Sequence, residues 1–177
     1  NVNYITYPGE RSSLMILGNY VRGLARFPGA ITQSEFNTDP FQAYFQAVAS
    51  DIKRITTKGR DGLKYKTNWG KFNSNEFEFI GYGAAKDIEY TTNTLYFIKY
   101  KYTAGTTLRY TGRHPVLGAD NEFSAGVDYN YVTGPLTSYD NSAGSKGDDL
   151  QSQNIETQSN IGIFFEDQYN ILKGKLY

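Results

Sequence analysis

Apolar residues along this chain follow two periods: a helical one in the first third and alternation at every second position afterwards. The clearest helical stretch is 39–56, where Phe41, Tyr44, Phe45, Val48, Ile52 and Ile55 fall on one stripe. Asp39 stands where an N-cap belongs, Pro40 follows at the first helical position, and Gln42 completes a capping box. Lys53, Arg54 and Lys58 would complement the C-terminal dipole, and Gly59 supplies a stop. A second helix is predicted over 14–25 from Leu14, Leu17, Val21 and Leu24, although Gly18 and Gly23 each cost about 1 kcal/mol in a helix interior. Before it, residues 1–10 read as an extended arm or edge strand closed by Pro8-Gly9.

From Asp61 onward the pattern alternates. Leu63, Tyr65, Thr67 and Trp69 oppose Lys64, Lys66 and Asn68, giving a strand with one basic face. Phe77 and Phe79 alternate with Glu76, Glu78 and Ile80, and a four-residue connection at 91–94 joins two further strands. In the second of these, Tyr96, Ile98, Tyr100 and Tyr102 share a face opposite Phe97, Lys99 and Lys101. Strands follow at 106–110 and 123–132, the latter with Phe123, Val127, Tyr129 and Tyr131 on one side. Residues 136–160, rich in Ser, Gly, Asp, Asn and Gln, predict a long polar loop, and a last hairpin is expected between Ile161 and Tyr177. Helices first and strands afterwards give a single α+β domain over 1–177. Its mainly antiparallel sheet would form a sandwich or partial barrel, covered by one or two N-terminal helices.

Composition narrows the chemistry. Among 177 residues there is no Cys, which excludes thiol nucleophiles, disulfides and Cys-based metal sites. His114 is the sole histidine, and its loop setting, with no Gly-x-Ser-x-Gly elsewhere, argues against a catalytic triad. Phosphate-loop and dinucleotide fingerprints are absent; Asp140-Asn141-Ser142-Ala143-Gly144 approaches a calcium loop, but its Gly is not at the sixth position and Gln151 stands where the bidentate Glu belongs, which leaves room only for a weak, irregular Ca²⁺ site at Asp140, Asp148 and Asp149. No cofactor or metal is therefore expected. Glu76 and Glu78 are the one carboxylate pair placed for a glycoside hydrolase, and alternation on a half-exposed strand accounts for them as well.

Charge balances at 18 basic and 18 acidic residues, which makes nucleic acid an unlikely partner. The balance is uneven: residues 1–75 carry 10 basic and 5 acidic side chains, and 76–177 carry 8 and 13. That polarity suits head-to-tail association with protein subunits of the same or a neighbouring kind. No apolar run approaches the ~20 residues of a membrane-spanning helix, so no membrane span and a soluble chain are expected, virion-borne or extracellular. A start at Asn1 fits a processed chain or a piece of a longer one.

The surface expected to meet a partner comprises Trp69, Tyr65, Tyr96, Tyr100 and Tyr102, with Lys64 and Lys66 beside them. The reading that follows is a non-enzymatic structural or interaction subunit of a larger assembly such as a virion, phage tail or surface structure. An aromatic-rich carbohydrate-binding β domain that takes a glycan is the alternative, and a carboxylate-dependent glycoside hydrolase comes third.

Overall fold

Alternation, rather than helical spacing, governs nearly the whole chain in the computed structural model, which describes residues 1–116 and 119–170. Seven strands form one antiparallel meander: β1 (Val2–Gly9), β2 (Ser12–Arg26), β3 (Lys53–Trp69), β4 (Asn75–Thr91), β5 (Leu95–Arg113), β6 (Asp120–Ser142) and β7 (Ser145–Asn170). Each strand pairs with its neighbours in sequence, and β1 and β7 have no partner on their outer edges among the described residues. The connections at one end are short: Glu10-Arg11, a turn at 70–74 and the segment 114–119. The other end holds the longer connection 27–52, the hairpin at 92–94 and a two-residue turn, Ala143-Gly144. Both residues of that last turn have positive φ (48° and 85°), the backbone a tight hairpin requires.

The predicted α+β fold with helices covering the sheet is thus overturned. Residues 14–25 belong to β2, because β-strand parity places Leu14, Ile16, Tyr20 and Leu24 on one face and Met15, Leu17 and Val21 on the other. The helical spacing there arises from a strand that is apolar on both faces, and Gly18 and Gly23 weaken the helical alternative.

The helix predicted over 39–56 dissolves into three pieces. Asp39 is the C-cap of α1 (Gln33–Thr38), whose own start carries a capping box between Thr32 and Glu35. That pair holds the Glu35 carboxyl below its ordinary range, chiefly through the Thr32 backbone N–H. A second short helix, α2 (Phe45–Ala49), is capped by Ser50 and followed by Asp51, whose φ of 40° turns the chain away, and the β-branched run Ile55-Thr56-Thr57 lies in β3. The expected stripe is not buried: Phe41 is 95% and Phe45 67% accessible, Val48 is exposed, Tyr44, Ile52 and Ile55 are half-buried, and Ala47 is the buried residue of α2. Residues 136–160, expected as a loop, instead complete β6, its turn and the first part of β7. Polarity on both faces hid this hairpin. Of the expected final hairpin, the first part lies in β7, and residues 171–177 fall outside the described residues.

The connection 27–52 folds down onto the sheet end through a small network. Asn141 Nδ2 donates to the Ser50 and Thr92 carbonyls at 2.9 and 2.7 Å, and Thr91 Oγ1 donates to the Asp51 carbonyl at 2.8 Å. The Asp51 carboxylate accepts from Lys53 Nζ at 2.6 Å and Arg26 Nε at 2.8 Å. Lys53, then Arg26, holds that carboxyl below its usual range.

Among the described residues no second layer covers the sheet. Among the described residues the buried apolar side chains are Ala47, Ile88 and Tyr96, whereas large apolar residues stand exposed on every strand. A water-soluble domain of this length ordinarily buries most of its apolar surface in a core.

Candidate functional site

Antiparallel pairing puts directly opposed residues on the same face, so the register resolves the sheet into two unlike surfaces. One face is apolar over a defined band. A lower aromatic boundary is formed by Trp69, Phe77, Tyr110 and Phe123, with Trp69 and Tyr110 ring centroids 6.1 Å apart. Above it lie rows such as Leu14, Tyr65, Phe79, Leu108, Val127 and Ile163, then Ile16, Leu63, Thr106, Tyr129 and Ile161. Tyr20, Tyr102 and Tyr131 close the band at the top. From Trp69 to Gly59 is ten residues, about 34 Å along the strand, or about 25 Å in depth at the roughly 40–45° tilt of barrel strands. Between these limits the charged residue on this face is Asp61, one position below the tyrosine row. Above the band the same face becomes charged, with Arg22, Arg26, Lys53, Asp87 and Glu89.

The opposite face is polar over the same span. Lys64 pairs with Glu78 at 2.6 Å and Lys66 with Glu76 at 2.9 Å, and Arg113 reaches Glu122 at 2.8 Å. Thr107 Oγ1 donates to Asp128 at 2.6 Å, Asn130 Nδ2 to Tyr82 Oη at 2.8 Å, and Thr111 and Ser124 hydroxyls meet at 2.9 Å. Tyr82 and Phe164 lay their rings across Gly105 and Gly126 on the facing strands, so the polar face stays filled where side chains are missing.

The residues singled out in the sequence divide between these surfaces. Tyr65, Trp69, Tyr96, Tyr100 and Tyr102 lie on the apolar side, and Lys64 and Lys66 lie on the other, so they form no single surface. Tyr96 is buried near the sheet end and its hydroxyl donates to Glu89. Glu76 and Glu78 are each held by a lysine, an arrangement that serves the sheet. His114 Nε2 sits 3.1 Å from Asn75 Oδ1 at the lower end, where Asn75 also accepts from Tyr110. Among the described residues no three His, Asp or Glu side chains gather into a metal-binding group.

Sequence reasoning missed a cavity of about 870 Å³ on the polar face, lined by Asn3, Asn19, Lys58, Arg60, Lys86 and Lys101 among others. The run of cations from Lys53 to Lys71 is legible in the sequence, but its juxtaposition with Lys86 and Lys101 depends on strand register.

No family model matches the chain, and no curated protein is similar to it in sequence. Among solved structures it is similar to the ferric citrate transporter FecA in its unliganded form, with a TM-score of 0.81 at 14% identity. The match covers 96% of this chain and 26% of that one, so the chain spans about a quarter of the transporter's length. At that identity the likeness establishes a shared fold: the seven-stranded antiparallel meander is an arrangement found within a transporter.

Proposed function

We propose that this sheet is a section of the wall of a membrane β-barrel belonging to an outer-membrane transporter, with its apolar band against lipid and its polar face toward the lumen. The observation that carries this reading is the band itself: one face apolar for about 25 Å, bounded above and below by aromatic rows, on strands whose other face is polar. Lipid supplies the missing second layer, which explains why so many large side chains lie exposed on a sheet without a core. Strands of 15–26 residues in β2–β7 exceed the 9–11 needed to cross a bilayer and continue beyond it. No helix among the described residues is long and apolar enough to cross a membrane, a statement that leaves strands open.

The open edges of β1 and β7 suit continuation of the wall, since a barrel tolerates no exposed edge. Large outer-membrane transporters have about 22 strands, of which seven would be roughly a third. The similarity to part of a ferric citrate transporter supports the same class, while the cargo of this chain is set by its own lumenal residues. This reading replaces the virion, phage-tail or surface-structure subunit expected from the sequence with a transporter wall, a role without catalysis. In this reading the end that carries the long 27–52 connection faces outside and the Trp69 end, where every connection is of six residues or fewer, faces the periplasm.

The test is cell fractionation with electrophoresis. The protein should remain in the outer-membrane fraction after urea extraction and migrate faster unheated than boiled. Recovery in the soluble fraction, with one mobility under both conditions, would sink the proposal.

A further inference from the structure

The five cations Arg54, Lys58, Arg60, Lys86 and Lys101 occupy one region of the polar face, and among the described residues none has a carboxylate within ion-pair distance. Their neighbours are treated differently. Lys64, Lys66, Lys99 and Arg113, on the same face, each meet a glutamate. Lys58, Lys86 and Lys101 are direct cross-strand partners on β3, β4 and β5, forming a row of three like charges. Opposed side chains in such a ladder have Cβ atoms roughly 4.5–5.5 Å apart, and like charges so placed destabilise the sheet. Arg60 is the next residue on this face of β3, and four of the five line the 870 Å³ cavity. Asp61 also borders the cavity, but its carboxylate lies on the other face, 3.2 Å from where a side chain on Gly18 would begin. Asn3 and Asn19, on the same face, add neutral groups able to hydrogen-bond.

We infer that this cavity binds a small oxyanion carrying two or more negative charges, a polycarboxylate or a phosphate-bearing molecule, in the lumen of the barrel. A multivalent anion neutralises the row of lysines, and the asparagines bind its remaining oxygens. The volume falls within the usual size of small-molecule sites. The inference rests on the barrel reading for its lumenal setting, and the cavity and its charges stand without it.

The test uses the full-length protein in detergent micelles, titrated by calorimetry with inorganic pyrophosphate and with tricarballylate, at low and high salt. Binding of at least one is expected, weakening as salt rises, and the stronger of the two identifies the phosphate or the carboxylate source. Lys58→Gln/Lys86→Gln/Lys101→Gln should weaken it at least tenfold, whereas Lys64→Gln/Lys66→Gln should change it less than twofold. Single Lys101→Gln, exposed and least intrusive, should weaken binding about threefold if the triple variant fails to fold. Absence of binding by both anions at low salt overturns the inference, as it would if an acidic protein segment occupies the patch. Equal binding by the triple variant and the wild type overturns it too. Heat-modifiable mobility is scored on the same samples: its absence from the wild type counts against the barrel alone, and lost binding with retained mobility concerns the cavity.

Discussion

Replacing Leu108 by Arg separates a sheet in lipid from a sheet in water. Leu108 pairs with Phe79 and Val127 in the apolar band and is 37% exposed. It lies four ladder positions from the Trp69 row and six from the Tyr20–Tyr102 row. At about 3.4 Å per residue and a tilt of 40–45°, these are depths of roughly 10 and 15 Å, close to the middle of the band. Asp61 and Asp167, the nearest carboxylates on that face, each lie two strands across and about 13 Å along the strand direction, so the guanidinium has no partner. Arg or Lys at the mid-plane of a barrel's lipid face costs roughly 2–4 kcal/mol, about a 30- to 900-fold change in the folding equilibrium. Thr107→Arg, one residue away on the polar face beside Asp128, should change stability by less than about 1 kcal/mol. Guanidinium titrations in phospholipid vesicles, followed by Trp69 fluorescence, give both values. If Leu108→Arg falls within about 0.5 kcal/mol of wild type, as at a watery surface, or if both variants cost the same, the assignment of faces is refuted.

Gly134 should be intolerant of a side chain, because a Cβ there would lie 1.9 Å from the Tyr100 carbonyl oxygen; Gly134→Ala is expected to cost about 1–3 kcal/mol in the same titration, against nearly nothing for Gly23→Ala, which has open space. Phe45→Ala should be nearly neutral, under about 1 kcal/mol by chemical denaturation, since the ring is exposed and meets Tyr44 edge-on; a loss of 3 kcal/mol or more would restore the buried helix that the sequence suggests. The Asp51 carboxyl is held below its unfolded value of 3.8, so its contribution is present above that pH and disappears as pH falls through the lower folded value. Melting temperature should accordingly depend less on pH between 5 and 3 in Asp51→Asn than in wild type, and identical slopes would refute the ion-pair role of Arg26 and Lys53.

Alternation made only the stretches 63–69, 76–80, 95–102, 106–110 and 123–132 of β3 to β6 readable, where one face is apolar and the other polar, as in Tyr65 and Trp69 against Lys64 and Lys66; the continuity of β4 and β5 and the first part of β3 left no such mark. The same rule fails where both faces match. Leu14, Met15, Ile16 and Leu17 are apolar on both sides, so a helix fits them equally well, while residues 145–160 are polar on both sides and pass for a loop. The stripe at 41–55 mimics a buried helix because loop aromatics and the start of β3 fall by chance into one period. The tyrosines and phenylalanines of the apolar face are legible as a pattern, but what covers them is not, because a protein interior and a bilayer select the same residues. Lys86 escaped notice for another reason: its significance lies in pairing with Lys58 and Lys101, and register between distant strands leaves no local mark.

The sequential strand order also bears on how the sheet forms. Five of its six ladders close across connections of six residues or fewer, whereas the ladder between β2 and β3 must close across 27–52, a connection of 26 residues. Relative to a two-residue turn, that closure costs about 2 kcal/mol more in chain entropy. Two units result, the β1–β2 hairpin and the β3–β7 sheet, each able to zip from its own turns, and their joining is the slow step. In pulsed hydrogen exchange during refolding, the amides shared by β2 and β3 should gain protection after those between β4 and β5; simultaneous protection would mean that 27–52 is ordered before the strands meet.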